Sequence, residues 1–342
     1  MRILVTGHHG YIGTVMVPVL LDAGHEVVGL DTNLFRDCTF TGGIRTVPEL
    51  NVDIRDVQPA HLQGFDAVVH LAALSNDSLS NLKPEITSEI NHLATVRLAQ
   101  LAKGTGVQRF LFSSSCAIYG KKDDDLVDET AEIAPVTPYN LSKLRVEQDV
   151  AGLANDAFSP TFLRNGTAYG VSPRLNCELV LNNLVAWAHT KGRVFIKSDG
   201  SPWRPIVHVE DISRAFLAAL EAPREIVHNQ ALNVGSNEEN YSIRQLADVV
   251  QAVVPGSQVE YAKDGKPDPR SYRVDFGKIQ RLLPGFKPRW NCRRGVEQLA
   301  AAYREGGLSF DDFEGPRFKR IEQLKLLLST GRVDSTLRWK SM

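Results

Sequence analysis

The chain has 342 residues, 43% hydrophobic and 23% charged, with 39 basic against 40 acidic side chains. That length suits a large core in two lobes, and the balanced charge argues against a basic nucleic-acid surface or an acidic disordered chain. Cys38, Cys116, Cys177 and Cys292 are scattered with no Cys-x-x-Cys pair, so neither a metal site nor a disulfide framework is expected. No apolar run has membrane-spanning length, and the first predicted strand begins at residue 2, which leaves no room for a signal peptide. The expectation is a cytoplasmic protein with no membrane or nucleic-acid partner.

In chain order, the spacing predicts strands over 2–6, 26–31, 67–71, 109–114 and 159–164. Helices are predicted over 11–23, 86–105 and 138–153. Strands alternating with helices at this spacing imply an α/β fold with a parallel sheet covered on both faces, and ligands beyond the carboxyl ends of its strands. After residue 170 the regularity weakens. A helix (178–191), a strand (193–197) and a Gly/Pro turn (199–205) come first. Strands 206–209 and 231–235 flank a helix at 212–220, and helices follow at 242–254, 293–304 and 317–328. The expected organisation is a dinucleotide-binding domain over 1–170, rejoined by 206–238. Residues 171–205 and 239–304 form a smaller substrate-binding lobe. The helix and tail of 305–342 read as surface packing or a subunit contact.

Thr6-Gly7-His8-His9-Gly10-Tyr11-Ile12-Gly13 joins the first strand to the first helix. Gly7 lets the chain turn, Gly10 lets backbone approach a pyrophosphate, and Gly13 lets helix and strand pack closely. The helix N-terminus then presents N–H groups to phosphates. Asp31 ends the second strand, about 20 residues on, where a carboxylate accepts both hydroxyls of an adenosine ribose and repels a 2′-phosphate. NAD is therefore favoured over NADP, with Arg36 as the nearby residue that would accept a 2′-phosphate instead. A Rossmann-type doubly wound sheet follows from these features.

Pro138-Tyr139-Asn140-Leu141-Ser142-Lys143 opens a helix and sets Tyr139 and Lys143 on one face. A phenol titrating near pH 10 is a poor base at neutral pH, and a neighbouring ammonium is expected to lower its pKa. Ser113-Ser114-Ser115 closes a predicted strand at the same crevice, where a hydroxyl can hold a substrate oxygen beside the tyrosine. Each signal also has an ordinary structural reading: a solvated lysine beside a packed tyrosine, or a helix cap.

Together these residues resemble the extended short-chain dehydrogenase/reductase family, closest to its nucleotide-sugar epimerases and dehydratases, over roughly residues 1–304. The resemblance implies that Gly7, Gly10, Tyr11, Ile12, Gly13, Asp31 and Asn33 bind the cofactor. Asp53-Ile54 matches the adenine contact, and His70-Leu71-Ala72-Ala73 matches the strand end lining the cofactor. Asn91 matches a helix asparagine supporting the site; Ser113, Tyr139 and Lys143 complete the cofactor set. The segment Ser115-Cys116-Ala117-Ile118-Tyr119-Gly120 puts the catalytic hydroxyl at Ser115, beside Tyr139 and Lys143. Asn182-Asn183-Leu184, Trp203-Arg204 and Asp268-Pro269-Arg270 match segments that hold a sugar-nucleotide diphosphate, with Ser115, Asn165, Thr167, Asn183, Leu184, Arg204 and Arg270 as substrate residues. Two arginine forks converging on a diphosphate make physical sense.

Departures narrow the reaction. The 4,6-dehydratases of this group carry an Asp-Glu pair after the catalytic hydroxyl; here those places hold Cys116 and Ala117. Cys116 is also out of register with the catalytic cysteine of the 3,5-epimerases, and reads as a packed residue. The family asparagine after the Arg164 strand is replaced by Thr167, with Asn165 close by. The resemblance implies an NAD-dependent nucleotide-sugar epimerase acting at C4 through a transient 4-keto sugar, as a homodimer joined by helices 86–105 and 138–153. The alternatives are a nucleotide-sugar 4-ketoreductase or dehydrogenase with exchangeable NAD(P), a dehydratase, and a non-catalytic cofactor-sensing protein.

Overall fold

The structure is a computed structural model that describes residues 1–40, 42–75, 77–262 and 270–340; the side chains of 123–125 fall outside the description. Its strands are β1 (Arg2–Thr6), β2 (Glu26–Leu30), β3 (Glu49–Leu50), β4 (Ala67–His70), β5 (Arg109–Ser115), β6 (Lys121–Val127), β7 (Ser159–Asn165), β8 (Thr167–Tyr169), β9 (Arg193–Ile196), β10 (Trp203–His208), β11 (Gln230–Val234), β12 (Asn240–Ser242), β13 (Gln258–Tyr261) and β14 (Ser271–Val274).

Seven strands form one parallel sheet in the order β11-β7-β5-β4-β1-β2-β3. Ile3, Leu4 and Val5 of β1 are fully buried, as are Ala67, Val68 and Val69 of β4. Continuous apolar strands are what a sheet covered on both faces requires. Strand order reverses between β1 and β4, and the crevice at that switch point is where open α/β sheets bind ligands.

The Tyr139 helix spans Pro138–Ala151. The Thr137 side chain accepts a hydrogen bond from the Asn140 amide, and Pro138 occupies the first turn. A capped start fixes where the helix begins, and hence where Tyr139 points.

Helix 86–105 is not one regular helix. A π-helical stretch, Ser88–Leu93, separates Pro84–Thr87 from Ala94–Gly104. π turns concentrate at functional sites, and this one carries Asn91.

The second lobe has its own core, in which Tyr169, Leu181, Val185, Leu246, Val250, Val296, Leu299 and Tyr303 are buried together. Strand β11 rejoins the main sheet beside β7, whereas β10 pairs with β8 and β12 in a separate three-stranded sheet. Residues 203–205, read as turn, already belong to β10. The helix Asp77–Leu82 and the parallel pair β6–β14 were not anticipated from the sequence.

The tail packs on its own chain. Phe313 and Phe318 enter the second core, while Leu324, Leu327, Val333 and Leu337 join Leu74 and Leu79 in a separate cluster.

Candidate active site

A cavity of about 770 Å³ runs from the glycine turn, across the carboxyl ends of the central strands, to the second lobe. At one end Gly7 has φ +75°, and a Cβ there would sit 2.7 Å from the Ala72 amide nitrogen. A Cβ at Gly13 would sit 2.3 Å from the Gly7 carbonyl. Only glycine fits either place, so the turn hugs β4 and leaves its concave side to a ligand. Helix Gly13–Asp22 begins there, and the positive end of its dipole suits a pyrophosphate.

Asp31 is fixed at the end of β2. Its carboxylate accepts from the His9 amide (3.0 Å) and the Asn33 amide (2.7 Å). Each oxygen keeps acceptor capacity, as a ribose diol requires. Arg36 does not line the cavity; its guanidinium lies over the Trp339 ring, 4.2 Å from the centroid. This set fits an unphosphorylated adenosine ribose. Asp53 lines the wall, with both carboxylate oxygens accepting from the Arg55 side chain (2.8 and 2.7 Å).

His8 and His9 both reach one oxygen of Glu49, at 3.0 and 2.6 Å, and their ligand atoms cluster within 4.8 Å. Metal-binding histidines ordinarily donate through their other nitrogen, but Nδ1 of both is buried without a partner. The cluster therefore braces the glycine turn.

At the other end, Ser113, Ser115, Tyr139 and Lys143 share the cavity wall. Ser115 caps the short 3-10 turn Cys116–Tyr119 through the Ala117 amide. Lys143 is buried, donates to the Ser113 carbonyl at 2.7 Å, and lies over the Phe112 ring at 4.6 Å. Burial pushes the Lys143 ammonium down to about 7, with Glu147 opposing.

One expectation is corrected here. The Tyr139 phenol is raised rather than lowered: burial dominates, the Asp77 charge adds to it, and a hydrogen bond with Ser115 opposes. Lys143 sits 5.6 Å from the Tyr139 ring centroid with its ammonium turned to Ser113, too poorly placed to outweigh desolvation.

A buried network stands behind these groups. Glu147 accepts from Ser114 (2.5 Å) and from Arg164 (2.7 Å), and Arg164 donates to the Tyr119 hydroxyl at 3.0 Å. Tyr119 in turn donates to Asn233 at 2.8 Å. The network clamps β5 to β7 and to the tyrosine helix, fixing the strand end that carries Ser115. Cys116 is fully buried with its thiol pushed up by desolvation, and donates to the Arg164 carbonyl.

Of the residues expected from the sequence, Asn91 stands off the wall, as do His70, Asn182 and Trp203 of the matched segments. The Asn91 side chain pairs with the Leu74 backbone (2.8 and 3.1 Å) and reaches Ser142, so it acts through the loop after β4. The rest line the cavity: Gly7, Gly10, Tyr11, Ile12, Gly13, Asp31, Asn33, Asp53, Ile54, Leu71, Ala72, Ala73, Asn165, Thr167, Asn183, Leu184, Arg204 and Arg270, with the four residues above. Tyr11 also joins the lobes, donating to the Gly170 carbonyl at 2.8 Å. Asn165 donates to Ser113 (3.0 Å), and its own Oδ1 is buried without a partner. Arg204 donates to the Arg270 carbonyl, and Arg270 is ion-paired with Asp77. Asp268 and Pro269 lie outside the described residues.

The sequence reading missed Asp77, Phe195 and Leu337 on this wall. Asp77 opens an unanticipated helix, and Leu337 sits in a tail no motif covers. A Ser-Asn-Asp-Ser run shortly after β4 was the available signal for Asp77.

The NAD dependent epimerase/dehydratase family matches residues 3–235. A UDP-glucose 4-epimerase of Streptomyces lividans is 33% identical, covering 84% of this chain and 91% of its own. A UDP-glucose 4-epimerase of Corynebacterium glutamicum is 30% identical over 89% of this chain and 95% of its own. Among solved structures, the Thermus thermophilus UDP-glucose 4-epimerase complex with NAD superposes with a TM-score of 0.75 at 26% identity, covering 89% of this chain and 99% of that one. MoeE5 in complex with UDP-glucuronic acid and NAD gives 0.76 at 26% identity, covering 89% and 99%.

Proposed function

We propose, from its membership of the NAD dependent epimerase/dehydratase family, that the chain is an NAD-dependent nucleotide-sugar epimerase that inverts C4 through a transient 4-keto sugar. The observation that carries this reading is one cavity holding Ser115, Tyr139 and Lys143 at one end and the glycine turn with Asp31 at the other. The places of a dehydratase acid–base pair hold a buried Cys116 and Ala117, and neither can protonate a leaving hydroxyl.

Bound NAD supplies reversible hydride acceptance, which no side chain of the site provides. Tyr139 takes the proton from the sugar O4 and later returns it. Ser115 orients that oxygen and, through its hydrogen bond, favours the phenolate. Lys143 holds its proton near neutrality and lends charge to the same corner. Asn165 lies beside the sugar, and Arg204 and Arg270 grip the diphosphate. The relatives support a UDP-sugar as substrate.

A homodimer through Pro84–Gly104 and Pro138–Ala151 suits the exposed Leu93 (59%) and the exposed Val136 just before the second helix (49%). The four free, buried cysteines suit a reducing, cytoplasmic setting. No helix among the described residues is long and apolar enough to cross a membrane.

The test is a screen of UDP-, dTDP-, GDP- and CDP-sugars with NMR of the products. Interconversion of C4 epimers is expected. Conversion that consumes added NADH one for one would replace the epimerase with a ketoreductase.

A further inference from the structure

The tail after residue 304 lies outside the resemblance that identified the rest of the site, yet Leu337 and Ile321 stand on the cavity wall together with Asp31 and Asp53. Leu337 is 2% exposed and adopts φ +63°, a backbone conformation a branched residue holds only when its surroundings impose it. The imposing contacts are visible. Asp334 accepts from the amides of Thr336 (2.8 Å) and Arg338 (3.0 Å), and the Leu337 amide donates back to the Asp334 carbonyl at 3.1 Å. The result is a tight loop that drives Leu337 inward.

That loop is fastened to the adenosine end at several points. Trp339 Nε1 donates to the Thr32 carbonyl at 2.6 Å, one residue after Asp31. The Trp339 ring is covered by Arg36 at 4.2 Å and flanked by Arg332 at 5.5 Å. Arg338 is paired with Asp56, and Lys83 donates to the Ser335 carbonyl at 2.6 Å. Arg55 grips the Asp53 carboxylate and donates to the Thr336 carbonyl at 2.9 Å. The same guanidinium thus ties the expected adenine contact to the tail.

We infer that the loop 334–339 is part of the cofactor site: it closes the adenosine end with Leu337 and retains the adenine dinucleotide between turnovers. This rests on the cavity reading above and adds a physical reason for a resident cofactor. An epimerase regenerates its NAD in each cycle and gains nothing from releasing it, whereas a dehydrogenase must exchange it. For a dinucleotide to leave by this end, Leu337 must move out, and that means breaking the Trp339 and Arg338 contacts.

The experiment compares wild type with the Arg338→Ala/Trp339→Ala double variant in the full chain. Lys325→Ala, on the exposed face of the tail helix, is the baseline. NAD content is read after gel filtration and denaturation, and the dissociation rate by trapping released NAD; circular dichroism checks folding. Wild type and Lys325→Ala should retain NAD alike. The double variant should release it at least about tenfold faster, as expected for losing contacts worth a little over about 1.4 kcal/mol. Trp339→Phe, which keeps a ring beneath Arg36 but removes the Nε1 donor to Thr32, should release NAD at a rate between those of wild type and the double variant. A folded double variant that releases NAD at the wild-type rate overturns the inference alone. A wild-type protein that binds no adenine dinucleotide overturns the cavity reading, and this inference with it.

Discussion

The two ends of the cavity are built differently. At the sugar end, Ser115 and Tyr139 stand on a central strand and a capped helix, clamped from behind by the buried Glu147–Arg164 pair. At the adenosine end, one wall is regular, the glycine turn and Asp31, while the other is the irregular loop 334–339 held by side-chain-to-carbonyl contacts. Chemistry needs atoms placed to a fraction of an ångström, so its groups sit on rigid elements. Retention needs only a barrier to departure, and a latched loop provides one. If this division is right, variants at the sugar end should change turnover far more than NAD retention, and variants of loop 334–339 the reverse.

The largest effect is expected for Tyr139→Phe, which removes the group proposed to move the O4 proton. Its kcat should fall about 10³-fold with NAD content unchanged, since positioned acid–base groups contribute roughly 10²–10⁴. A variant that also lost its NAD would merge the two ends. Lys143→Met should follow, with kcat down about 10²-fold by the same reasoning. It also carries a sign. The folded lysine titrates near 7 and the unfolded one near 10.5, so between these values the unfolded state binds the extra proton. Wild-type stability from this group therefore rises with pH across that window, and below it the full burial cost remains. Urea midpoints compared between neutral and alkaline pH inside that window should show the Lys143→Met variant gaining less from the higher pH than wild type.

Arg270→Ala should raise the nucleotide-sugar KM by about tenfold with a smaller change in kcat, the value of one charge-assisted contact to a diphosphate. The smallest effect belongs to Asp77→Asn. Asp77 raises the Tyr139 phenol, and the phenolate is the form that takes the O4 proton, so removing the Asp77 charge should move the rising limb of the kcat profile to lower pH. An unmoved profile would detach Asp77 from the tyrosine.

The same division explains what was legible in the sequence. Glycine spacing, a strand-terminal aspartate and an i, i+4 Tyr/Lys pair are local patterns, and each landed on the cavity wall. The direction of the Tyr139 shift was not legible, because burial is a property of the assembled lobes and it outweighed the neighbouring lysine. Asn91 was found by its match as a supporting asparagine, but its partner was not legible: it lies in a π-helical stretch and pairs with the Leu74 backbone. Leu337 was invisible: its placement depends on the Arg55 guanidinium, the Thr32 carbonyl and the Asp56 carboxylate, 281 to 307 residues earlier in the chain than their tail partners, and nothing in its own neighbourhood announces them.

The central claim is that the hydride taken from a sugar is returned to that sugar. The most direct measurement gives the purified protein a UDP-hexose with no added cofactor and follows the anomeric proton signals by NMR, with NAD content determined on the same sample. The account predicts close to one NAD per chain and interconversion of the C4 epimers to a steady ratio. A chain that arrives without NAD, or that turns over only while added NADH is consumed, would contradict it.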